Sequence, residues 1–347
     1  MKIKELMACD DGIFIHSDEN SFDEVRGITT LEFSKPGHLL FINSSKYWKK
    51  LEQNLKNPLF SEMGLIVDEK LIKKLEQDPI WEDAKKRFST ILGTSHFEKS
   101  MCLLSKVFFD ETFKNVDLVV DGREDDSAQI DASAKLAANV FIGQNVVLGK
   151  NVTIMNGVSI MAGSKVGDDT VIFPSVTVYP GVVIRKRCRI HSSTTLGTDG
   201  FGYNFIEGVH HKLWHFGGLI IDDDVEIGAN SAIDGGTFSP TMIGAGSKID
   251  NHVQIGHNCI LGRGVILCGQ VGISGSCTID DYALFAGKAG MGQGINIGKG
   301  VQVAGGALVS QDWAAGSVIA GHPARPLKEW LKGIAHVRKN SLKTGNQ

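Results

Sequence analysis

Aliphatic residues recur at every sixth position through the middle of the chain, first from Ile130 to Leu196 and again from Ile243 to Val309. Two positions before each of them in the first run lies a smaller side chain, such as Val146 or Thr170. A period of two inside a period of six predicts short strands with both residues facing inward. The pattern therefore predicts a parallel β-helix over about residues 128–312, because each unit can bury its apolar side chains only by stacking on its neighbours.

Three hexapeptides close one triangular coil, so residues 18 apart in the sequence are predicted to stack about 4.8 Å apart. Cys188, Cys259 and Cys277 fall on the small inward positions, which predicts core side chains rather than catalytic thiols. The repeat breaks twice, at segments that we name the first excursion (Gly197–Gly218) and the second excursion (Thr237–Thr241). Long excursions from a solenoid usually lie on its binding face.

Residues 1–120 lack the repeat and mix alternating apolar stretches with helical ones, which predicts a separate α/β domain. The alternating stretches are Gly27–Phe33 and His38–Ile42, and the helical ones are Tyr47–Leu55, Asp68–Gln77 and Phe97–Phe108. We place the domain boundary near Asp121–Ser127, the β-helix at 121–315 and a C-terminal helical extension at 316–347. The extension contains a predicted amphipathic helix over Leu327–Lys339.

Charge and composition narrow the class of protein. The formal net charge of −3 shows no basic excess for nucleic-acid phosphates. The N-terminus lacks the apolar core of a signal peptide and no uncharged apolar run approaches the length of a membrane span, so we expect a cytoplasmic protein. Six cysteines without a C-x-x-C pair indicate neither a zinc knuckle nor a redox site, and we expect no metal.

The C-terminal extension is basic. From Arg325 to Lys343 it carries six Lys or Arg residues and a single Glu. Such a run can be a solvated face, or it can dock an acidic protein, since complementary potentials steer association. Both interpretations remain open at the level of the sequence.

The segment Ile249–Asn258 (IDNHVQIGHN) resembles the "DN…QIAHN" signature of the UDP-3-O-acylglucosamine N-acyltransferases of lipid A (lipopolysaccharide) biosynthesis, which belong to the hexapeptide-repeat acyltransferases. Further matches are Gly37–Phe41, Lys46–Tyr47, Thr198–Tyr203, Asp224–Ala229, Gly321–Ala324 and Glu329–Trp330. The resemblance implies a left-handed β-helix, a homotrimer with clefts between subunits, and transfer of a (hydroxy)acyl chain from acyl carrier protein to the 2-amino group of UDP-3-O-acylglucosamine. It implies no cofactor besides the acyl-phosphopantetheine of the carrier.

His257 matches the universal histidine of this family, which the resemblance makes the general base. Imidazole suits this role, because a protonated amine cannot attack a thioester and imidazole removes protons near neutral pH. His257 lies two residues past Ile255, as Gly275 and Gln293 lie two past later repeat positions, so the three are predicted to form one column. The resemblance assigns oxyanion stabilisation to the backbone N–H of Gly275.

The resemblance also implies that uracil stacks on Phe41 and Tyr47, since aromatic faces suit a planar base. The residues alone would make both side chains part of the core. Where the family has a uracil-binding asparagine this chain has Ser44, with Asn43 one position earlier.

Three further candidate substrate-binding residues follow from the matched motifs: Asp234, Asp250 and Gln293. Asp234 belongs to Ile233–Gly236 (IDGG), which lacks the arginine of the family's IDRG. Gln293 precedes Gly294, which stands where the family commonly has a second active-site histidine. These differences concern contacts to the sugar rather than the class of reaction.

Other functions fit parts of the pattern. One is a nucleotide-sugar N- or O-acyltransferase that uses another donor, such as acetyl-CoA. Another is a metal-binding lyase like the γ-type carbonic anhydrases, although His252 and His257 have no third ligand in register. A non-catalytic scaffold is the third. The separate N-terminal domain and the C-terminal helix favour the lipid A enzymes.

Overall fold

The protein combines an N-terminal α/β domain, a long parallel β-helix and a C-terminal helix. The structure is a computed structural model that describes residues 1–17, 24–116, 123–321, 324 and 326–344. The start of the predicted domain boundary, Asp121, and the motif residues His322 and Pro323 lie outside the described residues, as does Arg325.

The described part of the N-terminal domain contains a five-stranded sheet in which the first strand is antiparallel to its neighbour and the others are parallel. In spatial order the strands are Ile13–Ser17, Thr90–Thr94, Gly64–Asp68, His38–Ile42 and Gly27–Thr29. The α-helices are Ile3–Cys9, Ser45–Asn54, Glu69–Leu75, Pro79–Arg87 and Phe97–Phe113, and the 3₁₀ helices are Leu31–Phe33 and Pro58–Glu62. Two apolar clusters fill the two sides of this sheet.

The predicted helices are present with shifted ends, and one predicted strand is too long. The alternation over Gly27–Phe33 forms a strand only to Thr29, because the Phe33 N–H turns back to the Thr30 carbonyl and closes a 3₁₀ turn. The helices Ile3–Cys9 and Pro79–Arg87 were not predicted. The second helix begins with proline, and the Asp78 side chain caps its N-terminus.

Parallel strands stack on three faces of the β-helix, which is left-handed as predicted. The first face contains Lys135–Leu136, Thr153–Ile154, Val171–Ile172, Arg189–Ile190, Glu226–Ile227, Lys248–Ile249, Ile266–Leu267, Leu284–Phe285, Gln302–Val303 and Val318–Ile319. The second face contains Phe141–Ile142, Ser159–Ile160, Thr177–Val178, Thr195–Thr198, Ala232–Asp234, Gln254–Ile255, Gly272–Ile273, Gly290–Met291 and Leu308–Val309. The third face contains Gln129–Ile130, Val147–Leu148, Lys165–Val166, Val183–Ile184, Leu219–Ile221, Thr241–Ile243, Ile260–Leu261, Thr278–Ile279 and Asn296–Ile297.

The interior of the β-helix is the apolar column that the repeat predicts. Cys188, Cys259 and Cys277 are fully buried in it, which confirms them as core side chains. Regular stacking pairs residues 18 apart, as Ile255 pairs with Ile273. The stacked strands continue past residue 315, because Val318–Ile319 pairs with Gln302–Val303.

Both excursions leave the β-helix at the corner that follows the second face. The first one forms a hairpin of Tyr203–Ile206 and Val209–Lys212. Its Trp214 ring packs on Phe109 of the N-terminal domain, with ring centroids 4.7 Å apart. In the second excursion the Ser239 Oγ accepts a hydrogen bond from the Thr30 N–H at 3.1 Å. The excursions therefore hold the N-terminal domain against this corner.

The C-terminal helix runs from Leu327 to Thr344, five residues beyond its predicted end. Its described side chains are exposed, including Trp330 and Ile334. Within the part of the chain that the structure describes, no helix combines the length and apolar character needed to cross a membrane.

Candidate active site

A cavity of about 410 Å³ lies between the N-terminal domain and the corner where the excursions leave the β-helix. One wall, the coil wall, comes from the β-helix and the second excursion; the other, the N-terminal wall, comes from the sheet edge and the helix Ser45–Asn54. The residues of the coil wall include Thr237, Phe238, His257, Asn258, Ser276, Gln293 and Gly294. The residues of the N-terminal wall include Thr30, Phe41, Asn43, Lys46, Tyr47 and Lys50.

Strand register places His257 on the coil wall. The pairs Ile255–Ile273 and Ile273–Met291 stack directly, so His257, Gly275 and Gln293 occupy equivalent positions on successive coils. The predicted column is therefore confirmed. An added Cβ at Gly275 would lie 2.7 Å from His257 Nε2, which shows that this edge of the ring faces the glycine.

The backbone N–H of Gly275 has no hydrogen-bond acceptor among the described residues, whereas its carbonyl accepts from the Gly294 N–H at 3.1 Å. A free N–H beside an imidazole edge is a donor that a developing oxyanion can use. Only a residue without Cβ leaves room for both the ring and an acyl group at this point.

The second excursion fixes the orientation of the His257 ring. Asn258 Nδ2 donates to His257 Nδ1 at 2.9 Å, and Asn258 Oδ1 accepts from the Thr237 N–H at 2.7 Å. Burial lowers the pKa of His257 below its ordinary value, so the ring is mainly neutral at physiological pH and able to take up a proton.

Two glycines of the first excursion allow it to pack on this histidine. A Cβ at Gly200 would lie 2.5 Å from His257 Cβ, and one at Gly202 would lie 2.9 Å from His215 Cε1. His215 is buried, and its ring centroid lies 5.2 Å from that of His257. Burial, assisted by the neighbouring His257, lowers the pKa of His215 to about 4, so this ring is neutral at physiological pH.

His215 was not predicted from the sequence. It lies in the irregular first excursion, where no repeat phase indicates the direction of a side chain. The sequence does offer one indication of its position. The two excursions leave the β-helix two coils and one coil before His257, after strands of the same face.

Asp234 lies one coil before His257 and is buried. Its Oδ1 accepts a hydrogen bond from Gln254 Nε2 at 3.1 Å. Burial raises the pKa of Asp234 to about 6, against the opposing effect of the Gln254 hydrogen bond. Its predicted contact with substrate stays a prediction, since the carboxyl group is not among the groups that line the cavity.

The helix Ser45–Asn54 separates apolar from cavity-facing side chains. Trp48 and Leu51 are buried in the domain core, while Lys46, Tyr47 and Lys50 line the cavity. Tyr47 is 48% exposed, so it is not the core residue that the sequence alone would suggest.

Phe41 lines the cavity with one part of its ring, while the other part packs against neighbouring aromatic side chains. Its ring meets Phe97 edge-on, with centroids 5.5 Å apart, and stacks on Phe238 of the second excursion at 6.3 Å. Phe41 thus combines a core contact with a position on the N-terminal wall. Its role in base stacking remains a prediction.

Two predicted substrate residues lie apart from these groups. Ser44 caps the helix Ser45–Asn54 by accepting from the Tyr47 N–H, and its neighbour Asn43 lines the cavity instead. Asp250 lines a different, open groove with His252 and accepts a hydrogen bond from the Asn251 N–H. Gln293, by contrast, lies on the coil wall as the column predicts.

Comparison with known proteins supports the motif assignment over part of the chain. The chain is 43% identical over 157 residues to a UDP-3-O-acylglucosamine N-acyltransferase of Methylobacterium nodulans, which is 45% of each chain. It is 45% identical over 150 residues to the enzyme of that name from Helicobacter hepaticus, covering 43% of this chain and 46% of the relative. The matches span a little under half the length of these curated relatives.

Other comparisons concern the β-helix. A family model described as the GMPPB C-terminal domain matches residues 124–200. Among solved structures, a UDP-N-acetylglucosamine acyltransferase of Francisella novicida is 28% identical, with a TM-score of 0.37 and coverage of 60% of this chain and 72% of that one. The enzyme of that name from Campylobacter jejuni is 23% identical, with a TM-score of 0.41 and coverage of 59% and 75%. The curated relatives that match this part of the chain are UDP-3-O-acylglucosamine N-acyltransferases, the family that the sequence motifs resemble.

Proposed function

We propose that this protein transfers an acyl chain from acyl carrier protein to the 2-amino group of a UDP-3-O-acylglucosamine, as an enzyme of lipid A biosynthesis. The observation that carries this proposal is the half-buried His257 beside the free Gly275 N–H, in a cavity whose other wall offers aromatic and cationic side chains. The names of the curated relatives support the same activity.

In this mechanism the amine nitrogen attacks the thioester carbonyl directly. His257 Nε2 takes the proton that the amine loses, and the Gly275 N–H donates to the oxygen of the tetrahedral intermediate. Collapse of the intermediate breaks the C–S bond, and the phosphopantetheine thiolate leaves with the proton from His257. A neutral, desolvated imidazole suits this sequence, because it can accept the proton and return it.

The N-terminal wall would hold the nucleotide. Tyr47 and the half-buried Phe41 offer aromatic faces to the uracil ring. Lys46 and Lys50 line the same wall and supply positive charge for a diphosphate. The distance between this wall and His257 would then be spanned by the sugar.

The partners follow from the same mechanism. The donor is acyl-phosphopantetheine on acyl carrier protein, and no other cofactor enters the transfer. Lys328 and Lys332 on the exposed C-terminal helix offer a basic surface to an acidic carrier. Exposed apolar side chains on the outer coils, including Leu308 and Val318, support a homotrimer. The carrier-bound donor would place the reaction in the cytoplasm.

The direct test is mass spectrometry of the products formed from UDP-3-O-acylglucosamine and a panel of acyl carrier proteins with different chains. We expect one added acyl group on the amine with at least one carrier, and at least about 100-fold slower formation of that product with His257→Ala. Acylation from acetyl-CoA alone would assign the protein to another branch of nucleotide-sugar acyltransferases. Absence of product with every donor would contradict the proposal.

A further inference from the structure

Asn258 connects His257 to the backbone of the second excursion. Its Oδ1 lies 2.7 Å from the Thr237 nitrogen, and its Nδ2 lies 3.0 Å from Thr237 Oγ1 and 2.9 Å from His257 Nδ1. A backbone N–H can only donate, so the oxygen of the amide must be the atom that accepts from the Thr237 backbone nitrogen. The amide nitrogen therefore faces the histidine ring.

This arrangement decides where the neutral ring carries its hydrogen. An amide NH₂ only donates, so His257 Nδ1 accepts and the hydrogen lies on Nε2. Nε2 is the atom that faces Gly275 and the reaction centre. In the substrate-free geometry this edge can donate a hydrogen bond, but it has no lone pair with which to accept a proton.

We propose that Asn258 is a positioning residue that switches His257 from the Nε2–H tautomer in the free protein to the Nδ1–H tautomer when the nucleotide sugar binds. The inference rests on the proposed function, which needs a basic Nε2. Reversal of the amide presents Asn258 Oδ1 to the ring and stabilises Nδ1–H. It also turns the NH₂ toward the Thr237 N–H, and because two donors repel each other, Thr237 must move for the switch to occur.

The second excursion gives the nucleotide a means of moving Thr237. Phe238, the next residue, stacks on Phe41 with ring centroids 6.3 Å apart and an interplanar angle of 27°. Ser239 binds the Thr30 backbone on the same wall. A planar base that takes the face of Phe41 displaces Phe238 from it, so binding favours a different position of Thr237. A ligand shifts such an equilibrium only through this kind of differential contact.

The spectroscopic test reads the tautomer directly. In protein labelled with ¹⁵N-histidine, long-range ¹H–¹⁵N correlations distinguish a protonated from an unprotonated ring nitrogen, and His257→Ala identifies the signals of His257. At about pH 8, above the ordinary histidine pKa of about 6.5, we expect the free protein to show hydrogen on Nε2. Saturation with UDP-N-acetylglucosamine should transfer the hydrogen to Nδ1.

Asn258→Asp is the matched variant, because a carboxylate has only acceptors and can bind the Thr237 N–H and the ring N–H together. It should show hydrogen on Nδ1 with and without the probe. Hydrogen on Nδ1 in the free wild-type protein, or no change on saturation, would overturn the switch while leaving N-acylation measurable. If the wild-type protein changes tautomer on saturation but does not acylate the amine, only the proposed function is contradicted.

Discussion

The two walls of the cavity are built by different means. On the coil wall, repeat register alone sets the positions of His257, Gly275 and Gln293, and each is held by the coils above and below. On the N-terminal wall, Tyr47 and Phe41 come from a helix and a strand that reach the cavity only because the excursions dock the two domains. Under the proposed function, the coil wall carries the chemistry, where geometry must be tight, and the N-terminal wall binds the nucleotide.

The largest effect is expected from His257→Ala. Loss of a general base should lower kcat by at least about 100-fold, with no change in assembly, because the ring lies outside the apolar column of the β-helix. Steady-state kinetics with an acyl carrier protein donor, beside thermal unfolding and light scattering, measure both quantities. Near-wild-type turnover would show that the proton acceptor is another group.

Gly275→Val should follow, because its Cβ would approach His257 Nε2 to 2.7 Å and occupy the space next to the free N–H. We expect kcat to fall by about 10- to 100-fold, which is no more than the effect of removing one hydrogen-bond donor to the oxyanion. Gly272→Ala is the control, since a Cβ at that position meets nothing within 4 Å. Equal kcat values for both variants would show that another group donates to the oxyanion.

On the N-terminal wall, Tyr47→Ala should affect binding and leave the chemical step unchanged. Stacking of a base on an aromatic side chain contributes about 1–3 kcal/mol, so the KM for the nucleotide sugar should rise by about 5- to 150-fold. Tyr47→Phe keeps the ring and should stay close to wild type. A KM that rises equally in both variants would indicate a role for the hydroxyl group rather than stacking.

The smallest effect concerns the C-terminal helix, which belongs to neither wall. Reversal of Lys328 and Lys332 to Glu should raise the KM for acyl carrier protein a few-fold and reduce its salt dependence, since rim charges act mainly on association and are screened over about 8 Å. The KM for the nucleotide sugar should not change. Lys74→Glu with Lys86→Glu makes the same change in net charge on the N-terminal domain and should leave both constants unaltered.

The sequence predicted the coil wall well because its signal is periodic. One repeat phase was sufficient to bury Cys259 and to align His257 with Gly275, and the structure reproduces both. The family motif then makes His257 the candidate general base, which stays a prediction.

The N-terminal wall and the excursions were less predictable, because non-local contacts determine them. Tyr47 is exposed only because the opposite face of its helix buries Trp48 and Leu51. Ser44 serves as a helix cap, and Asp250 lies in a separate groove, neither of which a linear match to a motif can show. His215 reaches His257 through a loop without repeat phase.

The separation of chemistry from binding is tested most directly by isothermal titration calorimetry of UDP-N-acetylglucosamine with the wild-type protein, His257→Ala and Tyr47→Ala. We expect His257→Ala to bind at least as tightly as the wild-type protein, because it has no ring tautomer to change on binding, while Tyr47→Ala weakens binding by at least about fivefold. A Kd that collapses in His257→Ala and is retained in Tyr47→Ala would contradict the assignment of the two walls.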